Sequence, residues 1–347
     1  MKRTIIITIA LIFTISLNST AQNEKNFRIG CIGFYNLENL FDTLDTEDVR
    51  DTEFTPLGDK KWNSAKYYEK LDNMANVISQ IGTDLTPDGV AILGISEIEN
   101  RTVVEDLVKQ EKLKGRKYEI VHYDSPDKRG VDVGLIFQPK YFKLKNSASY
   151  TLKIEGMDDF YTRDQLLVSG EFDGEMIHVI VNHWPSRRGG EKRSRPLRNA
   201  AADLTKSICD SILNLDKNAK IIIMGDLNDD PNNESVKLHL KTVSEKEEVK
   251  EGVFYNTMEG LFKKGVGSLA YRDAWNLFDQ IIISPGLVKD ENNGYIFHKS
   301  FVFNKKFLMQ AEGQYKGYPL RTYVGSTYKG GYSDHFPTYI FIVKEIK

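Results

Sequence analysis

The sequence predicts one mixed α/β (α+β) domain, with sheets of mixed strand direction and helices on their outer sides. Three observations point there. Short apolar runs alternate with amphipathic stretches from one end of the chain to the other. Several apolar runs follow one another directly, as in 131–150 and 165–182, which disfavours a purely parallel doubly wound sheet. Neither a Pro/Ser-rich linker nor a repeat of fixed period divides the 347 residues.

The chain begins with Lys2 and Arg3, an apolar run from Thr4 to Leu17, and then Ser19-Thr20-Ala21. This is the pattern of a secretory leader. Cleavage after Ala21 is expected, leaving 22–347 as a single domain that is exported to the periplasm or beyond. The run is shorter than the roughly 20 residues that span a bilayer, so no integral membrane segment is expected once the leader is gone. Losing Lys2 and Arg3 takes the formal net charge from −2 to −4. A mildly acidic chain is not globally built to hold polyanions, so any binding of nucleic acid must come from a local patch. Cys31 and Cys209 allow at most one disulfide; a chain of this length buries enough core without one, and both are read as buried thiols. A monomer is expected.

Taken in order, strand-like runs cover Phe27 to Tyr35, Val90 to Ile95, Tyr118 to Tyr123, Val131 to Phe137, Gln165 to Phe172, Met176 to Asn182, Lys220 to Met224, Asp279 to Ile283 and Pro337 to Val343. Helical spacing appears in Ser64 to Ile81, in Val103 to Leu113 and in Leu197 to Leu215, where Leu197, Ala201, Leu204, Ile208, Ile212 and Leu215 recur at steps of three or four. The charge run 241–252 is read as a solvated surface element.

Polar residues of hydrolytic type end or flank most of these strands: Asn36, Glu97, Asp132, His183, Asp226 with Asn228, Asp279, and Asp334-His335. An isolated carboxylate after a strand is more often a turn or cap residue; the recurrence is what suggests chemistry. Together they supply oxygen ligands for a hard divalent cation, two histidines, and carboxylates to orient them, as metal-assisted phosphoester hydrolysis requires. The Asp226-Leu-Asn-Asp-Asp-Pro stretch is not a calcium loop, since Pro231 stands where that loop needs Gly and Lys237 where it needs Glu. A histidine that moves protons needs a carboxylate on its far nitrogen, and Asp279 and Asp132, each within an apolar strand, are the candidate partners. His122, His178, His239 and His298 are set aside as surface or structural.

Six basic residues lie between Arg187 and Arg198, directly after His183. They are either a solvated loop or a phosphate-binding patch. Arg187 and Arg188 from this run, with Arg129 and Arg163, are the candidate substrate-binding arginines, since a guanidinium matches phosphate bidentately. Trp184 offers a ring for stacking on a base or for packing.

In order and residue type these motifs resemble the endonuclease/exonuclease/phosphatase superfamily, from Asn36 to His335, with GDLN and SDHFP the most specific and NHWPS in support. The resemblance implies a four-layer sandwich of two packed mixed β-sheets flanked by helices. It implies Asn36 and Glu97, with Asp334, at a magnesium site. Asp226 and Asn228 would position the attacking water and the phosphate. His335 would be general base or phosphate-orienting imidazole with Asp279 as its partner, and His183 the leaving-group acid, with Asp132 holding it although better-known relatives carry Glu there. Glu99 shares a strand face with Glu97 and competes as a ligand. Oxygen donors without a thiolate cluster favour Mg²⁺, or Mn²⁺, over zinc.

The expected activity is an exported Mg²⁺-dependent phosphodiesterase, with DNA or RNA the favoured substrate. A phospholipid, sphingomyelin or inositol-phosphate hydrolase is the enzymatic alternative, with the aromatic stretch from Tyr295 to Phe307 as its candidate membrane contact. A catalytically silent binding module on the same fold is the alternative from another class.

Overall fold

The computed structural model describes residues 26–289 and 293–346; the leader expected at Met1–Ala21 lies outside the described residues. In chain order the strands are β1 (Asn26–Leu40), β2 (Ile92–Ile98), β3 (Glu119–His122), β4 (Asp132–Phe137), β5 (Phe142–Tyr150), β6 (Gln165–Phe172), β7 (Glu175–His183), β8 (Lys220–Asp226), β9 (Thr242–Val243), β10 (Phe254–Asn256), β11 (Leu269–Tyr271), β12 (Ala274–Asn276), β13 (Asp279–Ile283), β14 (Ile296–Val302), β15 (Tyr323–Val324), β16 (Thr327–Tyr328) and β17 (Thr338–Ile346). The helices are α1 (Ser64–Ile78), α2 (Arg101–Val108), α3 (Glu111–Lys114), α4 (Glu191–Leu215), α5 (Glu259–Phe262) and α6 (Pro285–Val288).

Two sheets are built from these strands. One runs β14-β17-β1-β2-β4-β3, the other β5-β6-β7-β8-β13-β10-β9. Each has a parallel pair within it, β1 with β2 and β7 with β8, while the neighbours of those pairs are antiparallel. A parallel pair needs a crossover, and the crossovers hold α1 and α4. Period-two alternation sorts the strand residues onto two faces. Ile32, Phe34, Ile92, Val133 and Leu135 of the first sheet meet Val168, Val179, Val181, Ile222, Met224 and Ile281 of the second in the central core. The alternate residues Cys31, Tyr35, Leu93 and Ile95 pack on Tyr67, Leu71, Met74 and Ile78 of α1. Ile180, Ile221, Ile223 and Ile282 pack on Ala201, Ala202, Ile208 and Leu213 of α4. Helix, sheet, sheet, helix is the four-layer sandwich expected. Cys31 and Cys209 are buried free thiols, and among the described residues no helix is long and apolar enough to cross a membrane.

The differences from the sequence expectations are local. The stretch Val103 to Leu113 is two helices, broken by the extended backbone of Gln110. α4 starts at Glu191, six residues before its apolar stripe, so Lys192, Arg193 and Arg195 of the basic run belong to its polar first turns. Tyr295, Phe297 and Phe303 of the expected membrane-contact stretch are buried, because β14 pairs with β17; that stretch is part of the core.

Gly225, just before Asp226, is required by contact. A Cβ there would lie 2.2 Å from the Asn182 carbonyl oxygen of β7, on a residue with φ +154°. Gly225→Ala should therefore push β7 and β8 apart and lower the unfolding free energy by about 1–3 kcal/mol, read as a fall in the urea midpoint at constant slope. An unchanged midpoint would mean that the strands separate freely at this point.

Candidate active site

The strand register builds half of the site. His183 of β7 lies opposite Asp226 of β8, and Asp226 lies opposite Asp279 of β13. These three share the face of Val181, Met224 and Ile281, so the central core turns from apolar to polar at the carboxyl end of β7 and β8. Asn36 meets them from β1, on the face of Ile32 and Phe34. Glu97 does not follow from alternation, which would send it to the outer face with Leu93 and Ile95. A bulge between Ser96 and Ile98 and a left-handed φ of +57° at Glu97 turn it inward. A non-glycine residue in that region costs on the order of 1–3 kcal/mol, and bulges re-aim side chains in this way.

Asp226 is the hub. Its Oδ2 accepts from Asn36 Nδ2 at 3.1 Å and lies 3.6 Å from His183 Nε2 and 3.9 Å from His335 Nε2. Its Oδ1 accepts from Asn228 N at 2.9 Å. Glu97 Oε1 is 3.9 Å from His183 Nε2, while Glu97 Oε2 accepts from Asn39 N. His335 Nδ1 and Asp279 Oδ2 are 2.6 Å apart, and Ser268 Oγ donates to the same oxygen. The loop carrying His335 is tied to the first sheet: His335 N donates to Ser333 Oγ, which donates to the Asn36 carbonyl at 2.7 Å.

Burial and charge set the two histidines apart. Burial opposes the cation at His335, but Asp279 and Asp226 outweigh it and hold this imidazole protonated well above its usual range. Burial, reinforced by Arg163, Arg129 and His335, keeps His183 neutral well below that range. Burial pushes the Asp226 carboxyl up to about 6, against the pull of His335.

The structure corrects several sequence assignments. Asp132 does not reach His183; its Oδ2 is 2.9 Å from His122 Nε2, and its Oδ1 accepts from Ser125 N and Oγ. β3 and β4 form the hairpin that brings His122 to it, so Asp132 is a structural partner rather than part of the catalytic set. Glu99 turns away from Glu97 to accept from Asp42 N and Thr46 Oγ1, and burial pushes it up to about 7. Arg187 is not free for substrate: it donates to the Asn228 carbonyl, Asp229 and Asn233. Arg198 holds Asp229 from the buried side at 2.7 Å. Asp334 is paired with Arg321 at 2.5 Å. Trp184 is buried against α4 and donates to Asn182 Oδ1, so it packs and does not stack on a base. Asn228 Nδ2 donates to the Trp184 carbonyl, as does buried Arg163. Arg129 and Arg188 are exposed and border a cavity next to the site.

Two supporting charges escaped the sequence analysis. Lys70 of α1 is buried and donates to Thr322 Oγ1 and the Tyr332 carbonyl. Glu38 accepts from Thr322 N, and burial pushes it up to about 7. Lys70 interrupts the buried stripe Tyr67, Leu71, Met74, and that position was its signal. Glu38 sits in an irregular stretch with φ +49° that no pattern announces.

A hard cation fits the donors present. Glu97 and Asp226 bring carboxylate oxygens together around one imidazole nitrogen, no thiolate is near, and Asp279 keeps a buried oxygen with no partner. His122, Asp124 and Asp132 also bring ligand atoms within 4.8 Å of one another. There, however, both Asp132 oxygens already accept hydrogen bonds, so that corner reads as structural.

Comparison with known proteins bears on the family and the fold. The model of the Endonuclease/Exonuclease/phosphatase family matches residues 31–344. Among solved structures, D. rerio TDP2 complexed with single strand DNA product is similar at TM-score 0.53 and 14% identity, covering 90% of this chain and 98% of that one. A Bacteroides thetaiotaomicron mannosyl-6-phosphatase follows at TM-score 0.52 and 16% identity, covering 92% and 100%. The human Nocturnin catalytic domain with bound sulfate gives TM-score 0.51 and 16% identity, covering 93% and 98%. At these identities the likeness is one of fold. No curated protein sequence matches the chain.

The two histidines make a testable pair. Above pH ~6.5, the value of a free imidazole, unfolding releases the His335 proton; below it, unfolding lets His183 take one up. Their joint contribution to stability should thus decline in both directions from there. Imidazole NMR on the metal-free protein should show His335 still protonated well above that pH, with its titration lowered in Asp279→Asn. A wild-type His335 that titrates like a free imidazole would show that the carboxylates do not hold its proton.

Proposed function

The chain belongs to the endonuclease/exonuclease/phosphatase family and is a metal-dependent phosphoric ester hydrolase; from that premise we propose that it is an exported, Mg²⁺-dependent phosphodiesterase acting on nucleic acid. The observation that carries this is the convergence on one carboxylate: Asn36, His183 and His335 all lie within 4 Å of Asp226 Oδ2, with Glu97 beside them. Asn36 and Glu97, with Asp226, would hold the cation, while Asp334 is held by Arg321. Bound there, Mg²⁺ or Mn²⁺ supplies Lewis-acid polarisation of the phosphoryl group and stabilises the leaving oxyanion.

The chain's own residues do the rest. Asp226 and Asn228 orient the water for in-line attack, and Asp226 is the carboxylate placed to take its proton. His335, kept cationic by Asp279, presents Nε2–H to a phosphoryl oxygen, where negative charge grows in the transition state. Neutral His183 offers its ring on the other side of Asp226, towards the leaving oxygen. The role of phosphate-orienting imidazole thus suits His335 better than that of base.

Nucleic acid is supported by the cationic side chains beside His183, among them Arg129, Arg163 and Arg188, and by the DNA product bound to the similar TDP2 structure. Export rests on the leader motif. A lipid diester is the second reading. It is favoured by the β11–β12 hairpin, whose exposed Tyr271 and Trp275 lie beside the His335 loop, Trp275 stacking on Phe336.

His335→Ala should lower EDTA-sensitive hydrolysis of bis-p-nitrophenyl phosphate and of plasmid DNA by about 10²–10⁴-fold with the circular dichroism spectrum unchanged; wild-type turnover in this variant would refute the mechanism. Glu97→Gln should weaken Mg²⁺ binding measured by calorimetry. Sphingomyelin and phosphoinositide assays run beside the plasmid assay decide the substrate, and a binding module would be inactive in all of them.

A further inference from the structure

A cavity of about 660 Å³ lies beside the catalytic rim, and its lining contains none of Asn36, Glu97, Asp226 or His335. It is walled by the loop before β4, the loop between β5 and β6, and the turn between β7 and α4. Six cationic side chains border it, Arg50, Lys128, Arg129, Arg163, Arg188 and Arg193, against only two carboxylates, Asp127 and Asp159. Asp127 is shared by two guanidiniums, Arg163 at 3.1 Å and Arg129 at 3.5 Å. Among the described residues Arg50, Arg188 and Arg193 have no carboxylate within 4 Å. Such a local concentration focuses a positive potential that attracts an anion even though the chain as a whole is mildly acidic.

Two of the lining side chains are themselves buried. Arg163 is 6% exposed and donates to Asp127 and to the Trp184 carbonyl, yet its Nε has no partner. Its neighbour Thr162, 4% exposed, keeps Oγ1 unpartnered. Both side chains line this cavity, while the unpartnered atoms themselves lie beneath its surface. The wall also carries an aromatic ring, Tyr161, 46% exposed, with the Lys128 ammonium 4.9 Å from its centre.

Cavity and catalytic rim share a partition one residue thick. Arg163 donates to the Trp184 carbonyl from the cavity side, and Asn228 donates to the same oxygen from the catalytic side. An anion in the cavity is therefore separate from the ester at Asp226, yet close enough to belong to the same substrate. We propose that the cavity holds a second phosphate of a single-stranded nucleic acid, one linkage removed from the ester being cut, with the adjoining base stacked on Tyr161. This rests on the phosphodiesterase assignment above and adds a length requirement to it: the preferred substrate carries at least two phosphates in one strand.

The test compares the thymidine dinucleoside monophosphate, which has one phosphate, with the thymidine tetranucleotide, which has three. In the wild-type protein with Mg²⁺ the tetranucleotide should show a kcat/KM at least tenfold higher. In Arg50→Gln/Arg193→Gln the ratio of the two should fall towards one, mainly through KM for the tetranucleotide. Binding of a labelled thymidine strand to the wild-type protein in EDTA, followed by anisotropy, should weaken with salt, and the double variant should reduce the slope of log Kd on log salt by roughly one. A tetranucleotide advantage and salt slope untouched by the double variant would overturn the subsite and leave the phosphodiesterase standing. Failure of the wild-type protein to cut either substrate or bis-p-nitrophenyl phosphate would instead remove the assignment on which it rests. Competition by thymidine triphosphate as strong as that by the tetranucleotide would give the cavity to a nucleotide polyphosphate and overturn the strand.

Discussion

The carboxyl ends of two parallel strand pairs, β1 with β2 and β7 with β8, open at one rim because the sheets pack face to face, and every distance in the active site depends on that meeting. Each pair needs a helix-bearing crossover, and the crossovers put α1 and α4 on the outside, where they cover the outer sheet faces. The inner faces are left for each other. Ile222 and Met224 lead inward along β8 to Asp226 just as Ile32 and Phe34 lead along β1 to Asn36, so the 3.1 Å contact between Asn36 and Asp226 is where the central core comes to its polar end.

Ending a core in carboxylates is costly, since an isolated buried carboxylate disfavours folding by several kcal/mol, roughly, unless it is paired. The pairing here is uneven. Asp279 and Asp226 together hold one proton on His335, whereas His183, facing the same Asp226, stays neutral under the field of Arg163 and Arg129. The result is one committed cation, one neutral imidazole and negative charge left over. A divalent cation relieves that remainder, and the strained backbone at Glu97 is the local expense of aiming a carboxylate at it.

Much of this was legible in the sequence, and what was not has identifiable causes. Continuous apolar runs such as KIIIMG and VAILGI announced strands buried on both faces, and the polar residues that follow them announced the rim. Glu97 does lie 3.9 Å from His183 Nε2, but parity cannot explain its direction, because a bulge is not a feature of composition. Asp132 was given to His183 on resemblance, while the β3–β4 hairpin sets its true neighbour, His122, across two strands. Arg187 looked available in a basic run, yet the folded chain uses it and Arg198 to pin the loop after β8. The aromatic stretch near Tyr295 looked like a surface element because composition does not show which strand pairs with it; β17 does, with a long, mostly irregular segment between the two.

β17 also joins the two extremes of the described chain. It lies between β14 and β1 and pairs with β1 from Asn26↔Ile346 to Phe34↔Thr338, and the Ser333 hydroxyl that seats the His335 loop bonds to Asn36, 297 residues away in sequence. Such long-range closure is slow to form. Until β17 closes on β1, Asp226 and Asp279 stand on β8 and β13 without the loop that carries His335. Closure of that strand therefore also completes the charge pattern of the site, since the loop leading into it delivers the imidazole that Asp279 and Asp226 hold protonated.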